Sequence, residues 1–380
     1  MRVAQRLWTE RDGWAPPTGA KLNGDSSLIF YFGAPEALGR ADVVQDLAAL
    51  YPSAKVIGCT TGGEIHGEDV LDGSVSATVV ALDHTRVETA DVMVTEWANA
   101  FDAGRALARK LAAPGLRSLF VLSDGLQVNG SELVRGMASV VDPRVLITGG
   151  LAGDGARFGK TSVGVGKSIR PGAIAAVGFY GDRLDVFHGS AGGWDAFGPS
   201  REITRSKNNV LYELDGAPAL DLYKRYLGEE ADKLPGSALL FPLRVYPPGQ
   251  EKAALVRTVL SVDEKERSMT FAGDVPQGHV GQLMKGNFDR LVDGASLAAS
   301  QAAPGPAAEG SSIAILVSCI GRKLLLGQRI GEEVETVANI LGEDTSITGF
   351  YSYGEISPHS ATGMCELHNQ TMTITVLSEN

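Results

Sequence analysis

One pattern occurs twice in this 380-residue chain, and it constrains the fold more than any other feature. Near the start the chain reads Val56-Ile57-Gly58-Cys59-Thr60-Thr61-Gly62-Gly63-Glu64-Ile65. Near the end it reads Ser346-Ile347-Thr348-Gly349-Phe350-Tyr351-Ser352-Tyr353-Gly354-Glu355-Ile356. Gly58 corresponds to Gly349, Gly63 to Gly354, and Glu64-Ile65 to Glu355-Ile356. A repeated loop of glycines and a carboxylate points to a duplicated fold with two related pockets.

The flanking elements repeat as well. Ser27 to Phe32 is an apolar run that reads as a buried strand. Val43, Val44, Leu47, Ala48 and Leu50 recur at helical spacing before Pro52. In the second copy, Ser312 to Cys319 is the strand, and Val334, Val337, Ala338 and Leu341 mark the helix. Each motif is followed by a further strand, Val75 to Leu82 and Thr371 to Leu377. The prediction is an α/β protein of two related domains, with mixed sheets and flanking helices, arising from an internal duplication. The domains are placed at 1–205 and 206–380. Ile174–Tyr180 and Arg183–Phe187 read as a hairpin turned at Gly181-Asp182. A second hairpin is expected around Asp263-Glu264-Lys265-Glu266, and a loop at Pro304-Gly305-Pro306 after a helix end.

Composition removes several function classes. A formal net charge of −11 and the lack of a long basic run argue against nucleic acid as a partner. No stretch approaches the ~18 apolar residues of a membrane-spanning helix, so no membrane insertion is expected. Cys59, Cys319 and Cys365 are far apart and form no metal or disulfide pattern. The expected location is the cytoplasm.

The glycine-rich run Gly149-Gly150-Leu151-Ala152-Gly153-Asp154-Gly155-Ala156-Arg157-Phe158-Gly159-Lys160-Thr161 fails as a phosphate loop. That loop needs four residues between its first glycine and Gly-Lys-Thr, and neither Gly153 nor Gly155 supplies that spacing. Glu64 and Glu355 have three readings: caps for their own turns, partners of an arginine, or a pair lining one cleft. With no nucleophile elbow and no metal-binding helix motif, the chain is not expected to be an enzyme. His188 and His368 are the histidines with notable settings. Either, if buried beside Phe350, Tyr351, Tyr353 or Trp194, is a candidate ligand for a haem iron. Strand alternation sets Phe350 on one face and Tyr351 and Tyr353 on the other.

Gly349 to Pro358 and Glu366-Leu367-His368-Asn369-Gln370-Thr371-Met372-Thr373 resemble the C-terminal domain signature of FIST proteins. Val56 to Ile65, Ile147 to Gly155 and Tyr212 to Leu220 resemble the remainder of the family's two domains. The resemblance implies a sensory, ligand-binding protein of bacterial signalling. It further implies a stand-alone sensor acting through a partner such as a histidine kinase. One branch of the family binds haem b and senses nitric oxide; the alternative is a sensor of a small polar metabolite such as an amino acid. The candidate contacts to such a small-molecule or gas ligand are Gly58, Gly63, Glu64, Gly349, Tyr351, Tyr353, Gly354, Glu355 and Asn369.

Overall fold

The computed structural model describes residues 1–19, 22, 27–234, 236–304 and 311–380. Three parallel strand pairs organise the molecule: Leu28–Gly33 with Lys55–Thr60, Leu116–Ser123 with Leu146–Leu151, and Ser312–Cys319 with Thr345–Ser352. A helix links the two strands of each pair: Ala41–Leu50, Gly130–Ala138 and Ile330–Leu341. An antiparallel strand then closes the other side of each first strand: Val75–Ala81, Ala173–Tyr180 or Met372–Glu379. The expected mixed α/β class with flanking helices is what forms, and the two motif copies occupy equivalent places. A third copy joins them at Gly149.

The hairpin after each motif leaves its own sheet. Glu64–His66 pairs with Thr345–Ser352, Val163–Val165 with Lys55–Thr60, and Gly354–Pro358 with Leu146–Leu151. Each repeat therefore completes the sheet of another, in a closed cycle. Main-chain hydrogen bonds repeat the cycle one layer further: Gly62 N to Tyr351 O (2.8 Å), Gly153 N to Thr60 O (2.9 Å) and Tyr353 N to Leu151 O (3.2 Å). The segments 1–205 and 206–380 are interleaved by this exchange.

The three sheets face a common apolar interior. Phe30 meets Phe120 edge-on at 5.3 Å, and Phe32 stacks on Phe350 at 4.7 Å, so aromatic rings from all three repeats fill it. Helices cover the outside. Asn99 and Asn129 start two of them, each accepting a hydrogen bond from the main-chain N–H three residues on, at 2.8 and 3.1 Å. Ala173–Tyr180 and Leu184–Ala191 do not form the hairpin expected from Gly181-Asp182. They belong to different sheets, because each edge strand pairs with the last strand of its own repeat.

The third repeat is interrupted between Leu184–Ala191 and the helix Phe288–Ala302. The inserted unit has its own sheet, the helix Ala219–Leu227, and a separate core around Ile203, Leu220, Tyr223 and Phe271. The hairpin Val259–Asp263 with Ser268–Phe271 forms within it, as expected. Of the loop expected after the helix end, Gly305 and Pro306 lie outside the described residues.

Candidate functional site

The motif carboxylates staple their own repeats. Glu64 Oε1 accepts from Thr61 Oγ1 (2.6 Å), and its Oε2 accepts from Ser74 N (3.1 Å) and Oγ (2.8 Å). Glu355 copies this arrangement: Oε1 accepts from Ser352 Oγ (2.6 Å), Oε2 from Thr371 N (3.2 Å) and Oγ1 (2.9 Å). Ser74 and Thr371 each immediately precede the closing strand of a repeat. In the third copy the equivalent N–H, on Gly172, is bound by Asp124 Oδ2 at 2.8 Å. Asp124 lies at the end of a different strand, so its role could not be found by aligning the motif.

Burial pushes Glu64 up to about 7 and Glu355 up to about 8, against the opposing pull of their hydrogen bonds. A carboxyl raised above its unfolded value stabilises the fold in its protonated form. That contribution is full below the ordinary 4.5 and is lost as pH rises through about 8 for Glu355. In Glu355→Gln the amide can accept from Thr371 N and donate to Ser352 Oγ, as the protonated acid would. Wild type should therefore lose melting temperature relative to Glu355→Gln as pH rises from 5 to 8. His368, held down to about 3 by burial, acts in the opposite sense, its stabilisation being lost as pH falls from 6.5 towards 3. It is present in both proteins, so the difference between them isolates Glu355. A constant difference across that range would refute the assignment.

The other candidate contacts are mostly structural in position. Gly58 and Gly349 face main-chain carbonyls of the neighbouring strands. Gly63 faces Lys323, and Gly354 is enclosed by Leu151, Leu367 and Asn369. Phe350 points into the interior while Tyr351 and Tyr353 face the outer core, as alternation predicts. The Tyr351 hydroxyl donates to Glu333 Oε1 at 2.8 Å, and the Tyr353 hydroxyl bonds Asp154 and the Gly155 carbonyl. Glu64 lines a cleft of about 280 Å³ with Gly62, Gly63, Asp72, Asp154 and Arg157. Glu355 has no place in that cleft, so the two glutamates do not meet there.

The two candidate haem ligands sit in different settings. His368 is 6% exposed, its Nε2 lies 3.0 Å from Ser357 O, and its ring lies parallel to His359 at 5.8 Å. His188 is half-buried on the strand Leu184–Ala191, opposite Thr375. The aromatics expected beside an iron are committed elsewhere: Phe350 to Phe32, Tyr351 to Glu333, Tyr353 to Phe158 and Asp154, and Trp194 Nε1 to Gln370 O (2.7 Å).

A different cleft, of about 260 Å³, lies where the inserted unit meets the three-repeat body. The insertion contributes Arg257 and Asp274. The body contributes Arg135, His359 and Glu366. Arg257 is 3% exposed; its Nε donates to Asp274 O (2.9 Å) and its Nη1 to Leu367 O (2.8 Å). Among the described residues its Nη2 has no acceptor, and no carboxylate lies within 4.0 Å of its nitrogens. Burial lowers Arg257 to about 10, which leaves it charged at neutral pH. Arg135 pairs with Asp274 at 3.0 Å, and burial raises Glu366 while Arg257 opposes the shift. A larger groove of about 540 Å³, beside residues 112–117 and 140–145, is lined by Arg117 and by an Arg144–Asp142 pair at 2.9 Å.

Sequence reading passed over Arg257. The signal was there: one arginine inside Leu255-Val256-Arg257-Thr258-Val259-Leu260, a run otherwise suited to a buried strand.

Comparison with known families matches residues 27–217 to the FIST N domain and residues 219–358 to the FIST C domain. No curated protein matches the chain. Among solved structures, a cyanuric acid hydrolase from A. caulinodans is similar at 10% identity with a TM-score of 0.36, over 94% of this chain and 92% of that one. No helix among the described residues is long and apolar enough to cross a membrane.

Proposed function

Because the chain belongs to the FIST family of sensory signal-transduction proteins and carries both of its domains, we propose that it binds a small polar metabolite without haem. The ligand sits between the inserted unit and the three-repeat body, and occupancy is reported to a partner such as a histidine kinase. The observation that carries this reading is the cleft itself, whose opposite walls come from the two units. A ligand touching both walls has a different affinity for each relative placement of the units, which is what a sensor requires.

The seam beside the cleft supports the same reading. Among the described residues, Thr258 Oγ1, Asn369 Nδ2 and Gln370 Oε1 are buried there without a protein partner. Each such group costs about 1–3 kcal/mol, so the docked arrangement is held less firmly than the sheets on either side. Asn369 thus keeps its place among the residues of interest, at the seam. Binding without turnover is favoured because burial pushes all three thiols up, leaving them protonated and poor nucleophiles. The haem-free form is favoured over the nitric-oxide form by the setting of His368 and by the commitments of the surrounding aromatics.

Thermal-shift screening of polar metabolites tests the reading. A ligand at a hundred times its Kd adds about 2.7 kcal/mol, visible as a rise of a few degrees. The rise should vanish when bulk is added at Leu255, as in Leu255→Trp. A Soret band on adding haem that is lost in His188→Ala, with no shift from any metabolite, would restore the haem reading in its place.

A further inference from the structure

Arg257 is a buried cation whose surroundings are incomplete. Main-chain carbonyls of Asp274 and Leu367 fix its guanidinium in place, its side chain lines the cleft, and its Nη2 has no acceptor among the described residues. Burying a charge is costly unless it is paired, and here no carboxylate comes within ion-pair distance. Glu366 and Asp274 act on it from beyond ion-pair distance. Arg135 and Asp274 satisfy each other across the cleft. The remaining wall is mixed: Val245, Pro247, Leu255 and Pro276 form an apolar part, beside the polar side chains of Gln250, His279, His359 and Thr362.

We infer that the cleft recognises a carboxylate: a small organic acid whose carboxylate binds Arg257 Nη2 and whose short apolar body lies against Val245, Leu255 and Pro276. This rests on the proposed sensor reading and names the ligand class of that same cleft. A guanidinium held by carbonyls at Nε and at Nη1, with Nη2 left without a protein acceptor, is preorganised to donate to one anionic oxygen, since little side-chain freedom is left to lose on binding. The cleft is small for a ligand pocket, which restricts the acid to a short chain. Glu366 faces the same space and opposes the ligand's charge, so it limits affinity.

The experiment compares butyrate, butyramide and butylamine by calorimetry and thermal shift on the full chain. Inorganic phosphate is added as a competing anion. Butyrate should bind wild type, and butyramide should bind at least tenfold more weakly. Arg257→Gln should lose the butyrate response. Glu366→Gln should bind butyrate three- to tenfold more tightly, because a like charge facing the ligand has gone. That second variant keeps Arg257 in place and still decides the matter if Arg257→Gln does not fold. Butyrate binding that neither variant changes places the acid elsewhere and overturns the inference. So does phosphate competing at equal strength, or butyramide or butylamine binding as well as butyrate. Binding of the amide or amine within the cleft would leave the sensor reading standing; no binding by any polar metabolite would sink both.

Discussion

Gly349→Ala is expected to leave the chain unable to hold its native fold. A Cβ at position 349 would lie 2.0 Å from Leu316 O and 2.8 Å from Leu316 C, in the strand paired directly beside it. The obstacle is main chain, which cannot swing aside as a side-chain end can. The strand pair would have to part at the centre of a buried sheet. The other two repeats meet the same limit: Gly58 against Tyr31 O at 2.1 Å and Gly149 against Val121 O at 1.9 Å. Overpacking by one methylene typically costs 1–3 kcal/mol when neighbours can adjust. With no adjustable neighbour the cost should exceed about 4 kcal/mol, a large part of a typical stability of about 5–15 kcal/mol. Urea denaturation and soluble yield would show it. Gly331→Ala is the control, in the helix Ile330–Leu341 with no atom within 4 Å of the new Cβ, and should gain about 0.5–1 kcal/mol. A Gly349→Ala protein within 1 kcal/mol of wild type would refute the claim that these glycines exist for close strand approach.

These glycines explain how far the sequence could be read. Their repetition was visible, and so was the order of strand, helix, strand, motif and strand, because apolar runs and helical spacing are local signals. The close strand approach at Gly58 and Gly349 is not legible in the motif, since a loop of glycines with a carboxylate equally resembles a binding site. The third copy was also within reach: Ile147-Thr148-Gly149 repeats Ile347-Thr348-Gly349 letter for letter. It was hidden because its carboxylate comes from Asp124, and because ten further residues separate Ala152 from its exchanged hairpin at Val163. The exchange itself has no local signature. Which sheet receives Glu64–His66 depends on the edge offered by Thr345–Ser352, nearly three hundred residues away. The missed hairpin at Gly181-Asp182 has the same cause, for a tight turn does not say whether its two strands will pair or part.

Glu333→Ala is the second change with a large expected effect, and it tests why Tyr351 stands where it does. Arg322 and Glu333 are both fully buried, with Arg322 Nη2 at 2.8 Å and Nε at 3.1 Å from Glu333 Oε2. The other carboxylate oxygen accepts from Ser318 Oγ (3.0 Å) and Tyr351 OH (2.8 Å). Arg322 also donates to the carbonyls of Leu291 and Gly192, tying the start of the helix Phe288–Ala302 to the end of the strand Ser312–Cys319. Removing the carboxylate leaves a buried guanidinium without a counter-charge, and two hydroxyls without their acceptor. Breaking one side of such a pair costs about 3–5 kcal/mol. Arg322→Met should cost a similar amount by stranding Glu333. The double variant Arg322→Met with Glu333→Leu should cost clearly less than the two single changes added together, because neither charge is then left alone. Simple additivity in denaturation midpoints would mean that the ion pair contributes nothing as a pair. The expected coupling would instead show that Arg322 and Glu333 act as a pair, within a buried network that includes the Tyr351 hydroxyl and joins the third repeat to the point where the inserted unit leaves it.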